Sequence, residues 1–171
     1  PCAVGLSVFG AEIIEVLWPG TSNVAAQMMK IGSYSVIFYS LSTLTNGILQ
    51  GIDHMKLPVI HAAVALGLHL VMLYVLMTVF HMDGMAIVLS YLFFGLVVCI
   101  LNWFAIKKHL RYRQEVRRTF IIPLISAALM GFISKLLYNV LFILLGEGKI
   151  AMLISLVIAV LVAVVVYFIA L

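Results

Sequence analysis

Several polar side chains occur at helical spacing inside one apolar stretch, where they could meet a substrate or each other. Lys135 lies near the middle of residues 120–145, with Ser134, Tyr138 and Asn139 at its side. Residues three and four apart share a helix face, so these side chains crowd one side of a helix. A lysine deep in a membrane helix costs about 2.5–3.5 kcal/mol and usually faces a bundle interior or a cavity. Two interpretations of Lys135 follow. It has a structural partner, which is either a backbone carbonyl or a carboxylate, or it lines a substrate pathway with Asn139.

A second polar stripe runs along residues 24–50. Its members recur at intervals of four, three, four and four residues: Ser35, Tyr39, Ser42, Asn46 and Gln50. Polar groups in hydrocarbon need partners or water, because a lone one costs several kcal/mol. The stripe is therefore interpreted either as hydrogen bonding between helices or as the lining of a water-accessible cavity. In the second interpretation Ser42, Asn46 and Gln50 belong to a substrate pathway.

The acidic and imidazole side chains give weaker signals. Glu12 and Glu15 are three apart near one end of the first apolar stretch, and Glu12 could pair with Lys30. His61 and His69 are eight residues apart with no ligand between them, which is not a metal-binding spacing. The sequence carries no Ser/His/Asp set, P-loop or glycine-rich nucleotide motif. We therefore expect no metal, no cofactor and no enzymatic activity.

The composition predicts an integral membrane protein. Of the 171 residues, 65% are hydrophobic and only 9% are charged, whereas a soluble domain carries about 25% charged residues. A helix that crosses a bilayer core of about 30 Å needs about 20 apolar residues. The sequence offers such spans, the first of them short, at 1–18, 24–50, 58–80, 85–106, 120–145 and 150–171. The predicted fold is all-α: a polytopic membrane bundle of six transmembrane helices.

A basic loop orients these spans. The segment 107–118 holds six of the ten Lys and Arg residues of the chain and one acid, Glu115. Dense positive charge between two apolar spans stays on the cytoplasmic side, where anionic lipid headgroups attract it. A nucleic-acid patch would need a soluble domain to carry it, and the sequence predicts none. The loop is therefore predicted to be cytoplasmic and to contact anionic headgroups, with no nucleic-acid partner.

Three stretches resemble one family of transporters. The junction 46–58, NGILQGIDHMKLP, is similar to the ILQG…P junction of polysaccharide-biosynthesis and stage V sporulation protein B-like flippases. These belong to the superfamily of multidrug, oligosaccharidyl-lipid and polysaccharide exporters. The segment 1–20 resembles the helix that enters the second half of such proteins, and 120–131 resembles the segment after their last large cytoplasmic loop. His54 departs from the Gly or Lys that the family pattern has nearby.

The resemblance implies that this chain is the C-terminal part of a transporter of about fourteen helices. Residues 1–118 would hold the last four helices of its second lobe and the basic loop, and 119–171 would hold two appended helices. Such proteins sit in the bacterial plasma membrane and move a lipid-linked sugar across it by alternating access, for polysaccharide or cell-wall synthesis. The implied partners are that substrate, membrane lipids and the N-terminal lobe of the same protein. The appended pair would border a groove for the lipid tail.

Two other functions compete with a flippase. A cation-coupled drug or metabolite antiporter of the same superfamily needs an ion-binding carboxylate deep in a helix, and Glu12 is the residue available for it. A membrane glycosyl or phosphatidyl transferase needs acidic or histidine clusters at the interface, for which the sequence offers Asp53 and His54.

Overall fold

The computed structural model describes residues 1–21, 23–110, 117–146 and 148–170, and all regular structure in this part of the chain is helical. The α-helices in these ranges are α1 Cys2–Leu17, α2 Asn23–Gly32, α3 Ser35–Gly51, α4 Lys56–Thr78, α5 Asp83–Leu110, α6 Ile122–Leu145 and α7 Lys149–Ala170. A short π-helical segment, Arg117–Ile121, leads into α6. The all-α prediction is confirmed.

Within the described residues, four helical segments are long and apolar enough to cross a membrane. They are Lys56–Thr78, Asp83–His109, Thr119–Leu145 and Lys149–Ala170. Their bounds lie within a few residues of the last four predicted spans. The first predicted span forms α1, whose 16 residues extend only about 24 Å, short of a bilayer core of about 30 Å.

The second predicted span, 24–50, was wrong as one continuous helix. It forms α2 and α3, which are separated at Ser33 and Tyr34. The Ser33 hydroxyl donates a hydrogen bond to the Lys30 carbonyl over 2.7 Å. In an uninterrupted helix that carbonyl would accept from the Tyr34 amide, so the serine side chain competes with the helix at this point. The polar stripe therefore lies on α3, which has only 17 residues.

The described chain forms two compact units. One consists of Pro1–Ser33 and Gln114–Leu171 and contains α1, α2, α6 and α7. The other, Tyr34–Arg113, contains α3, α4 and α5. The predicted division at residues 118 and 119 concerns the lobes of a larger transporter, and it stays a prediction.

The first unit is built on small residues. Helix α7 buries one small side chain on every turn, Ala151, Ser155, Ala159 and Ala163, and packs mainly on α6. Gly131 of α6 is buried against α1, where an added Cβ would lie 2.7 Å from Val4 Cγ1. Ala127 and Gly131 are small residues four apart, a spacing typical of close helix packing, and the structure shows such packing at Gly131.

Gly131→Ala should therefore destabilise the protein. The added methyl group collides with a β-branched side chain, and overpacking of this kind costs about 1–3 kcal/mol. Gly67→Ala is the matched control, because a Cβ at Gly67 meets nothing within 4 Å. Replacing a mid-helix glycine with alanine stabilises by about 0.5–1 kcal/mol. Thermal unfolding in detergent micelles measures both, and equal effects would contradict the close α1–α6 contact.

In the second unit, α5 packs against both α3 and α4. Gly95 of α5 allows this approach, since an added Cβ there would lie 3.0 Å from Phe38 Cβ. Near the end of α5, the buried side chains of Leu49, Ala105 and Ile106 form an apolar cluster that Ile52 and Leu57 complete. This cluster fixes the α3–α4 link, residues 52–55, beside the end of α5.

Candidate functional site

Lys135 of α6 forms an ion pair with Glu12 of α1. Its ammonium donates to Glu12 Oε1 and lies 3.5 Å from the Val8 carbonyl oxygen. It also lies 5.5 Å from the centre of the Phe9 ring and 5.3 Å from that of Tyr138, within the range of cation–π attraction. The structure gives Lys135 the carboxylate partner that was one of its predicted alternatives. Its predicted place on a substrate pathway stays a prediction.

The pair is largely enclosed, and it is incompletely satisfied. The side chains of Lys135 and Glu12 are 36% and 15% exposed. Glu12 Oε2 is buried and has no hydrogen-bond partner among the described residues. The alternative pairing of Glu12 with Lys30 does not form, and Lys30 is exposed near the end of α2. A buried carboxylate oxygen of this kind can accept a further donor, from water or from a ligand.

The neighbours of Lys135 divide into packing residues and one exposed residue. Ser134 is buried, and its hydroxyl donates to the Met130 carbonyl over 2.7 Å. Tyr138 is buried and meets the Phe9 ring edge-on at 5.7 Å. Asn139 is exposed. Of the two predicted pathway residues on α6, Lys135 is thus partly enclosed and Asn139 is open.

Asn139 lies in a polar cavity of about 420 Å³ formed by α1, the start of α2, α6 and α7. Its polar lining comprises Glu12, Glu15, Thr21, Asn23, Tyr138 and Asn139. The Glu15 carboxylate is 3.4 Å from the Gly20 amide, which donates to it. Carboxylates, amides and hydroxyls in one open cavity can bind a ligand that is rich in hydroxyl groups or water.

An apolar groove of about 570 Å³ lies between α1, α6 and α7. Gly5, Leu6 and Phe9 form its α1 wall. Val164, Tyr167 and Phe168 line it from α7. Phe9 lines the groove, and its ring centre lies 5.5 Å from the Lys135 ammonium. An apolar surface and a cationic group therefore adjoin in this unit. Such an arrangement suits an amphiphile.

The polar stripe of α3 is only partly open. Ser42 is buried, and its hydroxyl donates to the Tyr39 carbonyl over 3.0 Å. Asn46 Oδ1 accepts a hydrogen bond from Asn102 of α5 over 2.8 Å. Gln50 is exposed. Asn46 thus forms a hydrogen bond between helices, as the packing interpretation predicts. The pathway role of these three residues stays a prediction.

Sequence reasoning missed Asn102, which organises the second unit. It is fully buried, and its amide group donates to Thr45 Oγ1 and to Asn46 Oδ1, each over 2.8 Å. Its Oδ1 accepts from His61 Nδ1–H over 2.7 Å. One side chain therefore joins α3, α4 and α5. A lone asparagine in the apolar span 85–106 was the available signal, because such a residue requires partners.

The two histidines within α4 make structural contacts. His61 bonds Asn102, and His69 Nδ1–H donates to the Ser90 carbonyl over 2.9 Å. No group of three or more potential metal ligands occurs in the described residues. Residues 111–116 of the basic loop lie outside the described residues, and Lys107 and Lys108 are exposed at the end of α5.

Comparison with family models, curated proteins and solved structures finds no match for this chain. Its class follows from the helices: the described chain is all-helical, and four of its segments can cross a membrane. It is a polytopic membrane protein.

Proposed function

We propose that this chain is part of a flippase, a membrane transporter that moves a lipid-linked oligosaccharide or peptidoglycan precursor by alternating access. It would supply six of about fourteen membrane segments, with α2 and α3 together forming one of them, in the bacterial plasma membrane and with the basic loop on the cytoplasmic side. Four span-capable segments and the charge of residues 107–118 support this placement. The resemblance of the junction 46–58 to polysaccharide flippases motivates the substrate class.

The observation that carries the proposal is the apolar groove beside the Glu12–Lys135 pair. A lipid-linked sugar has a long hydrocarbon tail, an anionic diphosphate and a sugar rich in hydroxyls. The groove on α1, α6 and α7 offers a surface for the tail. Lys135 offers a cation for the phosphate, which lysine binds as a point charge. The polar cavity around Asn139 offers acceptors and donors for the sugar.

One observation favours the antiporter as a second candidate. Glu12 is a carboxylate enclosed within the first unit, and its Oε2 has no partner in the described residues. An antiporter would use this oxygen to bind a coupling ion. Because Glu12 Oε1 already holds Lys135, the ion would compete with the ammonium for the same carboxylate. This function predicts no requirement for a lipid tail.

Photo-crosslinking tests the groove. A polyprenyl diphosphate analogue with a photoreactive tail should label the protein, and Val164→Trp should reduce labelling at least about fivefold, since the indole fills the groove. Val165→Trp is the matched control, because Val165 is exposed on the same helix and does not line the groove. A fivefold loss of labelling corresponds to about 1 kcal/mol of binding free energy. Equal labelling of the two variants would contradict a tail site in this groove.

A further inference from the structure

Two histidines meet where the α3–α4 link touches the end of α5. The rings of His54 and His109 are 4.1 Å apart between centroids and inclined at 66°, an edge-to-face contact. The contact joins positions 55 residues apart in the sequence and lies beside the apolar cluster of Leu49, Ala105 and Ile106. Neither ring has a part in the proposed transport function.

The end of α3 places His54 in this position. The Asp53 amide donates to the Gln50 carbonyl and the His54 amide to the Leu49 carbonyl, over 3.1 and 3.0 Å. This is the hydrogen-bond pattern of a Schellman motif, which requires a left-handed residue after the helix. Asp53 supplies it with φ 63°. The turn therefore fixes the backbone of His54, and His54 Nδ1 lies 3.0 Å from the Ile52 carbonyl, to which it donates.

Helix α5 is longer than a bilayer core is thick, and His109 lies at its charged end. The 28 residues of α5 extend about 42 Å, against about 30 Å for the hydrocarbon. Its last turn holds Lys107, Lys108 and His109, and these side chains are exposed. The exposed His109 ring can therefore exchange protons with water, and the His54 ring beside it is half-buried.

We propose that the His54–His109 contact is a pH-sensitive latch, closed while the pair carries at most one proton and open when both rings are charged. Two imidazolium ions at this separation repel each other. Opening separates the two rings and frees the last turn of α5, at the start of the basic loop, from His54, while the apolar cluster still holds the α3–α4 link.

The charges around the pair set the direction of the effect. Lys107, Lys108 and Lys56 lie within two residues of the two histidines in the sequence and add positive charge there. Asp53 is the acid in the link. Among the described residues near the pair, positive charge is in excess, and it adds to the repulsion between two charged rings. The same excess of cations disfavours a divalent metal ion between the rings.

Spin labelling of the full chain in nanodiscs tests the latch. Met55→Cys and Lys108→Cys, in a Cys2→Ser/Cys99→Ala background, carry nitroxide labels on the two sides of the contact. We expect one short separation at about pH 7.5, and a longer, broader one at about pH 5, on either side of the ordinary histidine value of about 6.5. The His54→Phe variant keeps an aromatic contact that cannot be charged, and it should hold the short separation at both pH values.

Two further variants make the outcome decisive. His109→Phe should behave like His54→Phe. Because His109 lies outside the turn, this agreement would show that the effect of His54→Phe does not come from a disturbed turn. His81→Asn removes a histidine after α4 and outside the contact, at a left-handed position that asparagine tolerates, and it should respond to pH like the parent. An unchanged separation in the parent, or the same widening in His54→Phe, would overturn the latch.

Discussion

Glu12→Gln is expected to destabilise the protein by about 2 kcal/mol, because it leaves the Lys135 ammonium without its counter-charge. Removing one partner of a fully buried pair costs about 3–5 kcal/mol. The expected loss is smaller here because the Lys135 side chain keeps 36% of its surface exposed. Lys135→Met should cost a similar amount by leaving the carboxylate unpaired. Thermal unfolding of the two variants in detergent micelles measures these losses.

The double variant Glu12→Gln/Lys135→Met separates structure from transport. It removes both charges, so most of the lost stability should return. If Lys135 contacts the diphosphate of the substrate, transport by the complete transporter should remain strongly reduced in this variant. Lys135→Arg should keep part of the activity because the charge survives. Full transport by a stable double variant would assign Lys135 a structural role only, and an additive loss of stability would contradict the ion pair.

Asn102→Ala is expected to cost about 2 kcal/mol of stability. Asn102 makes three hydrogen bonds to side chains of α3 and α4, and such bonds in membrane proteins average about 0.6 kcal/mol each. The substitution also leaves Asn46 and the His61 ring without these partners in an apolar setting. Thermal unfolding in detergent micelles measures the change.

Asn139→Ala is the matched control for Asn102→Ala, because Asn139 is exposed on α6. Its stability should change by less than about 0.5 kcal/mol. The triple variant Asn46→Leu/His61→Leu/Asn102→Leu should recover much of the loss, since no unpaired group remains. Equal stabilities for Asn102→Ala and Asn139→Ala would show that the three bonds contribute nothing.

Apolar span length predicted α4 to α7 well, because each is a long apolar run that ends at a polar break. It missed the interruption between α2 and α3. Its cause is one hydroxyl, that of Ser33, which takes the Lys30 carbonyl, and the apolar pattern continues through it. Whether a serine donates to its own helix or to another is decided by packing and cannot be read from spacing.

The sequence singled out the two charged residues of the candidate site but not their pairing. Lys135 and Glu12 were each identified by depth, since a charge inside an apolar run needs a reason. Their pairing depends on α1 and α6 being neighbours, 123 residues apart in sequence. Asn102 shows the opposite case. It stood alone in its span, and only the approach of α3 and α4 reveals its three bonds.

Translocation of a fluorescent lipid-linked oligosaccharide in proteoliposomes that contain the complete transporter tests the proposed function most directly. We expect movement of the labelled lipid between leaflets, a loss of at least about fivefold for Val164→Trp, and no loss for Val165→Trp. A fivefold change in rate corresponds to about 1 kcal/mol of activation free energy. Transport of a soluble organic cation in exchange for ions, with the labelled lipid left in its original leaflet, would contradict the flippase and favour the antiporter.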